Sequence, residues 1–457
     1  MGIKTNYLIL LLMAGAFVAS KANSADLESE IDALLEPLLS QDVVSGAVLV
    51  SGADGILVAK GFGLANRDHN IPNSIDTRFR IASMSKSLTS VAVMQLVEQG
   101  VLELDGEIGG FFPETVAWQN ITIRQLLEHS SGIPSTPFIK DFFKKSVSEH
   151  TLQQSIEWIV EEPLRFEPGE RFEYSNSGYI LLSRIIEIVS AMDYETYMQR
   201  RVFAPIGMKD SGLDSWTRIS RGRATGYSRM ANGEFGRANS RNPSECFGCG
   251  ALYSTVYDLH RLLRSVRDAE IVNPESRDLM WKPSRETPWG DQYGLGWFVG
   301  ESHGRQMIAS RGGTSGFMSV MQYFPNDDIT VISLLNQDFM LHTQLFERLA
   351  AIALREPWEA LLTTTGEIPR EHPLRKYSGR YRMDDGAIVA ISADGPFLFY
   401  EEEGQTGRVK IRPMSDNVGY VVEYNARLSF REDHDEDSVH LNALFGVLLW
   451  RGTRISE

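Results

Sequence analysis

Cysteine is scarce: the 457 residues hold two, Cys246 and Cys249. Two thiols cannot build a disulfide framework or an all-cysteine zinc site. Long apolar runs are missing as well. No stretch reaches the roughly 18 residues that a membrane-spanning helix needs, so no membrane span is expected. Basic side chains are outnumbered, 45 Lys and Arg against 60 Asp and Glu, for a formal net charge of -15. A chain this acidic repels phosphate backbones, which speaks against nucleic-acid binding. No Gly-x-Ser-x-Gly occurs, which argues against the nucleophile elbow of an α/β-hydrolase. The nine histidines lack a His-Glu-x-x-His spacing, so zinc hydrolysis is not expected.

What is present is an ordinary globular composition, 42% hydrophobic and 23% charged, which excludes a collagen-like or low-complexity chain. The first residues have a leader pattern. Lys4 is the only charge before the apolar stretch Tyr7 to Ala19, and small residues follow at Ser20, Ala22, Ser24 and Ala25. A positive start, an apolar centre and small residues at the cut make a secretory signal. The reading is a signal over residues 1–24 and a secreted or periplasmic product.

A helix pattern follows over Leu27 to Leu39, with apolar Ile31, Leu34, Leu35 and Leu38. Gly46 to Val50 and Ile56 to Phe62 read as a hairpin joined through Gly52-Ala53-Asp54-Gly55. Residues 84–270 are mostly helical in pattern. Thr122 and Gln125 form a capping box, and Gly132 with Pro134 should stop that helix. Strands return at Leu295 to Val299, Arg305 to Ala309, Phe317 to Phe324 and Ile329 to Leu335, followed by a helix over His342 to Leu354. Strands at both ends with helices between them predict one antiparallel sheet with helices on its faces. Thr363 to Leu374 reads as a linker. Beyond it, short alternating strands from Tyr377 to Arg451 predict a small antiparallel barrel or sandwich. The expected division is therefore 25–362, linker 363–374, and 375–457.

The segment most informative for chemistry is Ser83-Met84-Ser85-Lys86. Phe79 to Ala82 read as extended and Ser83 to Gln99 as a helix that Gly100 terminates. That helix is apolar on almost every side and should be central and buried. Ser83 would sit at its N-terminus, where partial positive charge favours an oxyanion. Lys86 lies on the same face. A lysine in a dry site loses pKa and can act as a base. Alone, the same four residues also fit a serine cap followed by a solvated lysine.

Two further elements join it. In Tyr174-Ser175-Asn176 a phenol can relay protons, and an amide can bind a substrate carbonyl or fix the lysine. In Ser310-Arg311-Gly312-Gly313-Thr314 glycines at a strand end let a substrate backbone lie against the edge. Taken singly, the first is more often a core aromatic, and the second is equally a strand-terminating turn. Cys246 and Cys249 fit a tight disulfide or two free thiols. His129 reads as a structural residue at a helix end. His434 lies in an acidic run read as a solvated loop.

Together the three elements, in this order and spacing, resemble the serine β-lactamase and penicillin-binding protein superfamily, in its class C β-lactamase-like branch of esterases and D-amino-acid peptidases. Supporting stretches are Leu126-Leu127-Glu128-His129-Ser130-Ser131-Gly132, Gly250-Ala251-Leu252-Tyr253-Ser254-Thr255, Tyr293-Gly294-Leu295-Gly296-Trp297 and Gly312-Gly313-Thr314-Ser315-Gly316-Phe317. The resemblance implies an α+β fold: an antiparallel sheet flanked by helices, a mostly helical second lobe, and a C-terminal lipocalin-like β-barrel. It implies Ser83 as nucleophile, Lys86 and Tyr174 as the proton-transferring pair, and Asn176 as the substrate-orienting amide. Ser310, Arg311, Gly312 and Gly313 would line the substrate, with an oxyanion hole from the N–H groups of Ser83 and Gly313. No metal or organic cofactor is required; the partner is a small-molecule or peptide substrate, and the oligomeric state is left open.

One departure stands out. The family's third motif starts with Lys or His, then any residue, then Gly; here Ser310 takes the first place and Arg311 the second. Serine brings no positive charge for a substrate carboxylate, and adjacent strand residues point to opposite faces. The activity implied is cleavage of an amide or ester bond in a D-residue peptide, an ester or a β-lactam. The alternative is a catalytically silent protein that keeps the fold to bind peptides or cell wall.

Overall fold

The computed structural model describes residues 24–229, 235–239, 242–337, 342–359, 371–384, 386–404, 408–415, 417–421, 426–433, 438–445 and 448–455. The leader pattern up to residue 23, most of the linker, and His434 lie outside the described residues.

Eight antiparallel strands form the main sheet, in the order Arg285–Glu286, Gln292–Tyr293, Phe298–Ser302, Arg305–Thr314, Phe317–Phe324, Ile329–Leu335, Gly46–Gly52, Gly55–Phe62. Strands from the two ends of the domain are thus neighbours: Val48 lies opposite Ser333 on one side and Lys60 on the other. Gly46–Gly52 is an apolar run because both of its faces are covered. Its side chains alternate, Ala47 and Leu49 into one core, Val48 and Val50 into a second.

The second core lies under helices Ser24–Ser40 and His342–Leu354, whose Leu27, Ile31, Leu34, Leu345 and Leu349 are buried together. The first core is larger and joins the sheet to the helical lobe. Its centre is helix Ser85–Glu98, buried without interruption from Ser85 to Met94. Helices Asn176–Ser190 and Val256–Arg267 pack around that core. The expected sheet and helical lobe are therefore observed.

The C-terminal strands Gly379–Met383, Ile388–Asp394, Phe397–Glu402, Val409–Ser415, Val418–Val421, Ala426–Asp433, Ser438–Phe445 and Leu448–Ile455 close into an antiparallel barrel. Closure comes from Tyr381 pairing with Arg454. Side chains fill its interior, with Tyr377 stacked on Phe430 at 4.7 Å and Tyr381, Leu398 and Leu441 buried beside them.

Two local details differ from expectation. The α-helix starts at Ser85, and Ser83 belongs to a 3-10 turn, Ala82–Met84. Ala82 takes a left-handed φ of 47° just ahead of Ser83, a conformation that costs roughly 1 kcal/mol. The capping box at Thr122 forms as read, with Gln125, but its helix covers only Ile123–Leu127. His129, at φ 60°, turns the chain before Gly132 can.

Candidate active site

The Ser83 turn is fastened from three sides. Phe79 and Arg80 pair with Ser254 and Tyr253, and the Ile81 N–H donates to the Leu252 carbonyl at 3.0 Å. Arg80 forms a buried ion pair with Asp214 at 2.8 Å. Ser319 Oγ donates to the Ile81 carbonyl at 2.9 Å. Strand Arg305–Thr314 passes so close that a Cβ on Gly312 would lie 2.2 Å from the Ile81 oxygen and 3.0 Å from the Met84 nitrogen. Only glycine fits there, which is the physical reason for that residue in the third motif.

Lys86 is fully buried beside Ser83. Its Nζ is 3.4 Å from Ser83 Oγ, and donates at 2.8 Å to Asn176 Oδ1 and at 2.8 Å to the Cys249 carbonyl. Among the described residues no carboxylate pairs with it. Burial without a counter-charge holds the ammonium well below the usual lysine range. The Tyr174 ring lies 4.7 Å from Nζ, and its hydroxyl shares a hydrogen bond with Ser83. Burial pushes that phenol well above its ordinary value, the Ser83 bond opposing. At neutral pH the amine thus tends to shed a proton and the phenol to keep one.

His129 supports this tyrosine. Its ring lies 4.3 Å from the Tyr174 ring, and Nδ1 accepts from the Ser175 N–H at 3.1 Å. Burial, then the charge of Lys86, holds His129 well below the usual imidazole range, so it remains neutral. Ser175 caps helix Asn176–Ser190. The Asn176 backbone donates to Ser135 Oγ at 3.0 Å and its amide to Thr136 Oγ1 at 3.3 Å. Trp289 closes on Tyr174 edge-to-face at 6.1 Å.

The structure thus gathers Ser83, Lys86, Tyr174 and Asn176 into one hydrogen-bonded group, with Gly312 and Gly313 on the adjacent strand. Ser310 and Arg311 are directed elsewhere. Ser310 is buried, its Oγ 2.7 Å from Ser87 Oγ, which itself lies 2.7 Å from the Gly296 carbonyl. Ser87 has one proton, which the carbonyl takes; Ser310 therefore donates to Ser87. Arg311 pairs with Asp291 at 2.6 Å and lies over Phe298 at 4.9 Å. The two cysteines are bridged, and the bridged segment supplies a carbonyl to Lys86. Sequence reading missed that carbonyl, since backbone groups leave no residue-type signal. It also missed Trp289, which lies outside the motifs.

Comparison with known proteins bears on the fold and the family. The family model described as Beta-lactamase matches residues 27–354. A penicillin-binding protein of Bacillus subtilis (strain 168) is 26% identical over 440 residues, covering 89% of this chain and 94% of the relative. Among solved structures, an octameric penicillin-binding protein homologue from Pyrococcus abyssi is 25% identical, with a TM-score of 0.66, over 94% of this chain and 99% of that one. A penicillin-binding protein from Bacillus halodurans is 27% identical, with a TM-score of 0.63, over 71% and 99%. The D-amino acid amidase from Ochrobactrum anthropi SV3, at 23% identity and a TM-score of 0.63 over 72% and 99%, shares the fold. With most of its length matched by that family model, the chain belongs to the Beta-lactamase family and is a serine hydrolase.

Proposed function

We propose that this is an exported hydrolase that cleaves an uncharged ester or amide through an acyl-enzyme on Ser83. One observation carries the reading: a buried lysine, without a carboxylate partner among the described residues, lies 3.4 Å from a hydroxyl that also meets a phenol. Ser83 Oγ attacks the substrate carbonyl carbon while its proton passes to neutral Lys86. The oxyanion is received by the N–H groups of Ser83 and Gly313, each such donor lowering the barrier by roughly 3 kcal/mol. Tyr174 gives its proton to the leaving nitrogen or oxygen, and the Lys86 ammonium restores it. Water then attacks the acyl carbon, and Ser83 is regenerated.

The preference for uncharged substrates follows from the third motif. Ser310 donates inward and the charge of Arg311 is balanced by Asp291, so this strand offers a substrate carboxylate no free cation. Export is supported by the leader pattern and by the Cys246–Cys249 bridge, which oxidising compartments preserve. Residues 375–457 are assigned to a separate barrel domain.

Incubation with a fluorophosphonate followed by intact-mass measurement tests the reading. One adduct per chain, lost in Ser83→Ala, is expected. No adduct with any acylating probe would instead favour a silent binding protein. Turnover of a panel of neutral and carboxylate-terminated esters and amides tests the substrate class.

A further inference from the structure

We propose that the Cys246–Cys249 disulfide is a positioning element for catalysis: it holds the Cys249 carbonyl where that oxygen orients Lys86 toward Ser83. This deepens, and rests on, the acyl-enzyme reading above.

A neutral amine has two N–H donors and one lone pair. The two acceptors at 2.8 Å, Asn176 Oδ1 and the Cys249 oxygen, occupy both donors. The lone pair is then left for the Ser83 hydroxyl at 3.4 Å. With either acceptor gone, the amine turns about its last bond and an N–H can face Ser83 instead, the wrong polarity for a base.

The two acceptors are held very differently. Asn176 opens a fifteen-residue helix and is tied to Ser135 and Thr136. Cys249 sits in a four-residue turn, Phe247–Gly250, two of whose residues are glycines. So short a helix has no stability of its own, and glycine raises the entropy lost on ordering it. Larger residues cannot stiffen it freely, since a Cβ on Gly248 would lie 2.2 Å from Ser183 Oγ. The bridge ties Cys249 within this turn to Cys246, the residue that precedes it, Cα to Cα 5.0 Å. Beside it, the Gly248 carbonyl accepts from Thr89 Oγ1 at 2.7 Å, docking the turn on the helix that carries Lys86. Cys249 is buried, whereas Cys246 is partly exposed, so a thiol reagent can reach one sulfur. A dithiol would supply two electrons and two protons, closing into its own disulfide and leaving Cys246 and Cys249 as thiols.

The test uses the full chain carrying Cys246→Ser and Cys249→Ser together. Fluorophosphonate labelling of Ser83 is timed from acidic to alkaline pH, beside a thermal melt. The expected result is a folded variant whose labelling at neutral pH falls by about tenfold to a hundredfold. Its acid limb also moves up toward the ordinary lysine range as water reaches Nζ. Unchanged rates overturn the proposal. So does a uniform fall with an unmoved limb, which marks the bridge as structural only. If the double variant does not fold, the folded wild-type chain is reduced with dithiothreitol and labelled, with the same two outcomes. Failure to label Ser83 in the untreated chain is a separate result, sinking the acyl-enzyme reading itself.

Discussion

Lys86 and Arg311 are two basic side chains near one site, and their surroundings treat them in opposite ways. Lys86 is buried, with neutral acceptors and, among the described residues, no carboxylate partner. Arg311 is half-exposed, with Asp291 at 2.6 Å and an aromatic face beneath it. Desolvation drives the first toward neutrality, which leaves a lone pair free to accept a proton. The charge of the second is balanced by its partner. A charged residue close to a site becomes chemical machinery by losing its counter-charge, and becomes scaffold by keeping it.

The largest break in this contrast comes from Lys86→Met. Acylation of Ser83 should fall by about a thousandfold or more, read by timed intact-mass labelling. Tyr174→Phe should cost less, about a hundredfold in kcat, and more for amides than for activated esters, because an amide leaving group needs the proton more. Asp291→Ala sharpens the other half by releasing the charge of Arg311. The KM of a carboxylate-terminated ester should then drop by about threefold, the worth of an exposed ion pair, while a neutral ester is unaffected. An equal change for both esters would place Arg311 outside substrate reach.

The smallest effect applies the same burial physics away from the chemistry. His260 is held down to about 4 from 6.5, mainly by burial and then by Arg264, Arg267 and Arg261. Below 6.5 the unfolded chain binds a proton that the folded chain refuses until about 4. Stability should therefore fall as pH drops through that window, and His260→Gln should flatten the slope of melting temperature against pH.

Local pattern made much of this legible. The period-two strands, the apolar helix behind Ser83 and the Ser-x-x-Lys spacing all follow from short-range rules. So did the suspicion that Ser310 and Arg311 point to opposite faces. What stayed hidden depends on long-range contact. The left-handed Ala82 is flanked by Ile81 and Met84, against which Gly312 and Ser319 pack from more than two hundred residues away. The Cys249 carbonyl reaches Lys86 across 163 positions. His129 could be read only as structural until its ring was seen against Tyr174.

The most direct test is the pH dependence of Ser83 labelling in the wild-type chain set against Lys86→Met. The rate should rise through one inflection well below the ordinary lysine value of 10.5, and that inflection should vanish in the variant. An inflection that persists unchanged without Lys86, or one at the ordinary lysine value, would contradict the assignment of the buried amine as the base.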